Sequence, residues 1–215
     1  MSQQLDNLMT LHKSKMDELA RVFRECPWEN EEFYASWCAQ SYYFVCHATR
    51  ILAGCAARLH MDNDALHYRF LDHAQEERNH EHLYVQDLEF LRRTPQDYPE
   101  HPTAAFMYQN MYYHLEHNDP TAVFGGVFYL EGASVHTGEV VYARARKAFG
   151  EEACNFLRVH VSNDTEHINQ AVKMLKTLNE RQLKFVAQAY EQFSWSYVAL
   201  LKELCGQTMA KRQAA

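Results

Sequence analysis

Seven glycines and five prolines are all the backbone punctuation in a chain of 215 residues. Sandwiches and barrels reverse direction every few residues, and each reversal calls for turn residues of these kinds. So thin a supply favours long helices. Breaks fall at Cys26-Pro27-Trp28, at Met61–Asp64, across Thr94–Pro102 with Pro95, Pro99 and Pro102, at His117–Pro120, at Gly150 and near Asn179. Proline lacks a donor and restricts the residue before it, so these are helix ends. Between the breaks, apolar residues recur with helical period instead of alternating. The pattern predicts an all-α protein of seven helices near 2–24, 31–60, 63–93, 103–117, 120–148, 151–178 and 180–205. They form a single helical domain over residues 1–215, with a tail from about 207 to 215 expected to fray. Asp119 is a capping residue before Pro120, and Gly150 suits a left-handed helix end.

Charge narrows the function classes. The formal charge is −7, with no Lys/Arg tract, which argues against nucleic acid or an anionic membrane as a partner. No run approaches the ~20 apolar residues that a membrane span needs, and the N-terminal segment lacks the apolar core of a signal peptide. Six cysteines occur without a CxxC pair. Buried, reduced thiols are the expectation, and with them the cytoplasm.

Thirteen histidines direct attention to ligand spacing. In the sixth predicted helix His160, Asp164 and His167 stand at i, i+4 and i+7, within a narrow stripe of one face. Two imidazoles and a carboxylate so placed suit iron, manganese or zinc. The alternative is a solvated polar stripe, but Phe156, Leu157, Val161, Ile168 and Val172 make the flanks apolar. The third helix carries Glu77 and His80 as Glu-x-x-His, with His73 four residues before Glu77. Read alone, that charge-rich segment reads first as a solvated face. In the fifth helix Glu131 stands among apolar and small residues. A carboxylate there needs a cation, or a buried arginine such as Arg50. Gly125, Gly126 and Gly132 cost that helix stability, and close approach of another backbone or a ligand is their usual use.

Together the clusters offer Glu77, His80, Glu131, His160, Asp164 and His167, three carboxylates and three imidazoles. Six donors exceed the need of one cation with an open position, so two metals are expected. A set without thiolate suits iron, or alternatively manganese. A second Glu-x-x-His, as ferritin-like proteins carry, is absent.

One Glu-x-x-His, a later lone Glu in an apolar helix, and then His-x-x-x-Asp-x-x-His resemble the heme-oxygenase-like diiron oxidases and oxygenases. These share a fold with thiaminase II, pyrroloquinoline quinone synthase and heme oxygenase. The resemblance runs from about residue 31 to 205. It implies a seven-helix heme-oxygenase-like bundle, two irons per chain with the second weakly held, and O2 as co-substrate. It also implies oxidation of a small amino-acid-like or fatty-acid-like metabolite. Relatives space the first Glu and His differently, which keeps His73, Glu76 and Glu81 as substitute ligands. A homodimer is the usual state of such enzymes.

Tyr42, Tyr43, His47, Phe128 and Arg158 are candidates for the substrate pocket, with ordinary core packing as their alternative. His12, alone in an amphipathic helix, reads as a surface residue, which argues against heme. No cysteine sits in a recognisable nucleophile motif, which argues against a thiaminase reaction. Two other readings stay open: a metal-free thiaminase II or pyrroloquinoline quinone synthase type of enzyme, and a non-enzymatic helical interaction protein. The last requires Glu131 and Asp164 to be exposed.

Overall fold

In the computed structural model, residues 2–214 are described, apart from the side chains of residues 162–167, 212 and 214. Among them there are nine α-helices and no strand. They are α1 (Gln3–Glu25), α2 (Glu31–Val45), α3 (Ala48–Arg58), α4 (Asp64–Glu76), α5 (His80–Phe90), α6 (Pro102–His117), α7 (Phe124–Phe149), α8 (Asn155–Leu175) and α9 (Glu180–Ala214). None is long and apolar enough to cross a membrane, among the described residues.

Local chemistry accounts for most helix ends. Ser2 caps α1 through Leu5 N, and Asn30 caps α2 through Phe33 N. Asp119 accepts from Thr121 N just before Pro120. Gly150, at φ 92°, ends α7 in a conformation that favours glycine.

Nine helices replace the expected seven because two of those segments are broken. The segment 31–60 kinks at Cys46 and His47, where His47 N bonds Phe44 O and the turn tightens. His47 leaves the helix line to stack on Tyr108, with ring centroids 3.9 Å apart. The segment 63–93 breaks after Glu77, where Asn79 takes a left-handed conformation at φ 70°. Asparagine is among the few residues that tolerate this. Glu77 therefore ends α4, and His80 begins α5.

Helix α9 continues to Ala214, because Thr208 is buried and Lys211 pairs with Glu32 on α2 at 2.6 Å.

Helix α7 is the central rod, packed on α1, α8 and α9, while α2 lies on α5, α6 and α9, and α5 on α8. Contact between α7 and α9 is backbone-close at Gly125, where a Cβ would lie 2.4 Å from Val186 O and 2.5 Å from Tyr190 N. A second slot opens at Gly132, where a Cβ would lie 2.3 Å from His12 Cε1. His12 fills it. Far from being a surface residue, it is 7% exposed, stacked on Phe128 at 4.1 Å and bonded to Tyr190 Oη through Nδ1 at 3.0 Å. Burial, with a smaller push from His136, lowers its pKa to about 4.

Candidate metal centre

Four helices bring the acidic and imidazole groups together: the end of α4, the start of α5, the middle of α7 and the first half of α8. Glu77 is the shared member. Its Oε2 lies 2.9 Å from His80 Nδ1, and its Oε1 lies 3.5 Å from His73 Nε2. His73 Nε2 in turn lies 3.8 Å from Glu131 Oε1. The result is two overlapping donor groups, Glu77–His80–His160 and His73–Glu77–Glu131, each with ligand atoms within 4.8 Å of one another. The rings of His80 and His160 meet edge to face, with centroids 4.9 Å apart.

Burial makes these groups chemically unusual. Side-chain exposure is 4% for His73, 17% for Glu77, 13% for Glu131 and 19% for His80. Burial alone would raise the Glu77 carboxyl, but the imidazoles of His73 and His80 outweigh it and hold it well below the usual carboxylate range. Burial lowers His160, against an opposing pull from Glu77. Low exposure of Glu131 also overturns the surface-cluster reading. Arg50 is not its partner: that residue is exposed and donates to Cys46 O at 2.8 Å.

The orientation of His160 is fixed from outside the cluster. Its Nδ1 lies 2.9 Å from Phe156 O, and its ring stacks on Phe156 at 3.8 Å, which itself stacks on Tyr84 at 3.9 Å. A backbone carbonyl can only accept, so Nδ1 carries the proton and Nε2 keeps its lone pair. Beneath lies Asp87 of α5, fully buried. It accepts from Asn155 N at 2.7 Å, Asn155 Nδ2 at 3.0 Å and Phe156 N at 3.1 Å. Asp87 thus caps α8, the helix of His160, from α5, the helix of His80. Burial, only partly offset by these donors, raises its pKa to about 6.

The donors fit a divalent cation. His73 is almost fully buried, yet its Nδ1 has no hydrogen-bond partner among the described residues. Its Nε2 stands 3.5 and 3.8 Å from two carboxylate oxygens, longer than a good hydrogen bond. Such spacings approach those of neighbouring ligand atoms on one cation, about 3.0–3.4 Å apart when bonds are about 2.1 Å. Nitrogen and oxygen donors without thiolate match iron or manganese.

A cavity of about 170 Å³ includes the cluster in its wall. His73, Glu77, Glu131 and His160 line one end, and Phe44, Leu52, Met111, Val127, Leu130 and Phe193 are among its apolar walls. Hydroxyls come from Tyr84, Tyr108, Ser134, Thr137 and Tyr197, and no lysine or arginine lines it among the described residues.

Of the sequence candidates, Glu77, His80, Glu131 and His160 converge here. Asp164 and His167 lie outside the residues whose side chains are described. Of the substitutes, His73 joins the cluster, Glu76 pairs with Arg69 at 3.1 Å, and Glu81 stands 3.7 Å from the exposed His82. The pocket candidates are elsewhere. Tyr43 Oη donates to Pro95 O with Tyr42 edge-on beside it, His47 packs on α6, Phe128 backs His12, and Arg158 is exposed against Asn155. Tyr84 and Asp87 were not singled out from sequence, and Phe156 only as an apolar flank. Tyr84 and Asp87 follow His80 at i+4 and i+7, and a buried Asp at that spacing was the available signal.

Residues 35–197, more than half of the chain, match the model of a family described as iron-containing redox enzyme. The chain belongs to that family. Solved structures carry the same fold. A domain of unknown function with a heme oxygenase-like fold from Shewanella denitrificans superposes with a TM-score of 0.83 at 14% identity, covering 97% of this chain and 96% of that one. A TenA homolog from Pseudomonas syringae pv. tomato gives 0.75 at 17% identity, covering 95% and 92%. A TenA homologue from P. horikoshii gives 0.70 at 13% identity, covering 92% and 97%. No curated protein matches the chain. At these identities the likeness establishes the heme oxygenase-like fold, and membership in the iron-containing redox family rests on the match over residues 35–197.

Proposed function

We propose that the protein is an iron-dependent oxidoreductase that uses O2 at a two-metal centre to oxidise a small molecule with an apolar body. The observation that carries this reading is Glu77, one carboxylate facing two donor groups from its two oxygens in the wall of a largely apolar cavity. Glu77, His80, Glu131 and His160 would hold the metals. Asp164 and His167 complete the set on sequence spacing alone, and manganese is the alternative ion. When bound, iron supplies the electron transfer that O2 chemistry requires.

The protein's own groups do the rest. Glu77 would offer both oxygens, one toward each donor group, and His160 would present Nε2 because Phe156 O holds the proton on Nδ1. Trp37, Phe44, Leu130 and Phe193 exclude water along the cavity and favour an apolar tail. Among the described residues the wall offers no lysine or arginine for a carboxylate, so a polar head group belongs at the metal end. A fatty-acid-like or apolar amino-acid-like substrate meets these demands.

Elemental analysis with Mössbauer spectroscopy, on protein made in iron-rich medium, tests the reading. About two irons per chain are expected, lost in His160→Ala, with O2 uptake stimulated by apolar-tailed acids or amines. Iron-free protein indifferent to that substitution would end it.

The likeness to TenA homologues favours a second reading, a metal-free enzyme whose polar cluster grips an organic substrate directly. Tight binding of a pyrimidine or quinone precursor to metal-free protein would select it. Against it, no cysteine lines the cavity among the described residues, and burial pushes the Cys154 thiol up to about 11.

A further inference from the structure

Two thiols far apart in sequence meet outside the metal centre. Cys26 caps the C-terminal end of α1, and Cys205 lies on α9; their Sγ atoms are 3.2 Å apart. A disulfide bond is about 2.05 Å long, so the sulfurs need to close by only about 1.2 Å. Both backbones are held where they are. The Arg144 guanidinium donates to Cys26 O at 3.0 Å and to Glu29 at 2.6 and 2.7 Å, while Lys211 ties α9 to Glu32.

We propose that Cys26 and Cys205 are a reversible disulfide site, closed by reaction with a hydroperoxide. Cys205 is partly exposed and Cys26 fully buried, which assigns the order of events. The Cys205 thiolate attacks a peroxide oxygen. The O–O bond breaks, the departing oxide takes a proton, and Cys205 becomes a sulfenic acid. Cys26 sulfur then attacks Cys205 sulfur; the S–S bond forms, the S–O bond breaks, and water leaves with the Cys26 proton. Two thiols are oxidised by two electrons, and hydrogen peroxide is reduced to two waters. The hydrogen bond between the two sulfurs holds the Cys205 thiol below its ordinary range, which favours it as the attacking sulfur.

The bond would clamp one wall of the cavity. Phe23, one turn before Cys26, and Tyr197, about two turns before Cys205, both line it. The other cysteines are poorly placed to compete. Cys38, Cys55 and Cys154 are buried, and the Cys46 thiol is bonded to Tyr43 O at 3.2 Å.

The test is thiol mapping of the full-length protein. It is treated with hydrogen peroxide, alkylated, digested and analysed by mass spectrometry without reduction. One linked peptide pair containing Cys26 and Cys205 is expected, reversed by dithiothreitol, with the other thiols still alkylated. Closing so long a loop should raise Tm by roughly 5 °C or more, and Cys205→Ser should abolish both effects. Full alkylation of both thiols after peroxide, Cys205 driven to sulfinic acid without a link, or a link joining two chains would overturn the proposal. The wild-type map alone decides it, so the result does not depend on a variant that folds.

Discussion

Replacing Asp87 tests how the two helices of the centre are registered. Asp87→Ala removes the acceptor of two backbone N–H groups at the start of α8, at 2.7 and 3.1 Å. Losing a cap costs about 1 kcal/mol and leaving a buried donor unpaired about 1–3 kcal/mol. A loss of about 3 kcal/mol is expected at pH 5. The cost should shrink as pH rises. The folded-state pKa is about 6 against an ordinary 3.8, so the native state binds the proton more tightly. A carboxyl shifted this way contributes stability that is full below about pH 4 and is lost as pH rises through about 6. By linkage the wild type gives up about 1.4 kcal/mol at this group between pH 5 and pH 8, and the alanine variant does not. The cost of Asp87→Ala should therefore fall to about 1.5 kcal/mol at pH 8. Asp87→Asn keeps one acceptor oxygen but sets an NH2 group against the remaining N–H, so at pH 5 it should fall between wild type and Asp87→Ala. Urea unfolding followed by circular dichroism at both pH values measures this. A cost below about 0.5 kcal/mol at pH 5, or one that grows with pH, would refute the assigned capping role and the direction of the shift.

Three further substitutions probe other parts of the molecule. His12 has a folded pKa of about 4 against 6.5 unfolded, so the unfolded chain takes the proton first and stability falls as pH drops through that window; His12→Phe should remove about 2 kcal/mol of acid sensitivity at pH 5, read from urea midpoints. Gly132→Ala drives a methyl against the stacked, hydrogen-bonded His12 ring, and a loss of about 1–3 kcal/mol is expected in thermal unfolding. Glu131→Gln should lower iron content from about two per chain to about one or less while leaving circular dichroism unchanged, because the side chain reaches the cluster and carries little of the packing.

Helix content was legible because punctuation and period act locally. Pro27, Pro102, Pro120 and Gly150 each stop or start a helix through their own backbone chemistry, and the structure places ends beside all four. The two kinks were not legible, since neither contains proline or glycine. At His47 the bend accompanies stacking on Tyr108 and a bond to Tyr112 Oη at 3.2 Å, contacts with a helix some sixty residues away. The spacing of Glu77, His80, Glu131 and His160 pointed to one place because ligand-type residues on apolar faces are costly to bury singly. Pocket-lining residues were harder. Helical period says which residues share a face, but not which face meets a cavity, and so Tyr42, Tyr43 and His47 read as pocket residues although none of them lines it. His12 was misjudged for a related reason. Its slot exists only because a glycine on α7 is opposite, a pairing that no local window contains.

The break at Asn79 connects fold to chemistry. On an unbroken helix Glu77 and His80 would project from one face of one rod, and Glu77 would have to turn both oxygens to the same side. Ending α4 at Glu76 and restarting at His80 separates their tasks. Glu77 closes α4 with one oxygen toward His73 of its own helix and, beyond it, Glu131 of α7. His80 opens α5 with its ring against His160 of α8. One carboxylate can then face two donor groups at once, which a straight Glu-x-x-His helix does not readily allow. The left-handed Asn79 is the backbone strain that goes with this, and strain of that kind persists where surrounding contacts over-determine it. Here the surrounding contacts are the Asp87 cap and the imidazole–carboxylate cluster, so the same short segment that breaks the expected helix is the one that lets Glu77 face both donor groups.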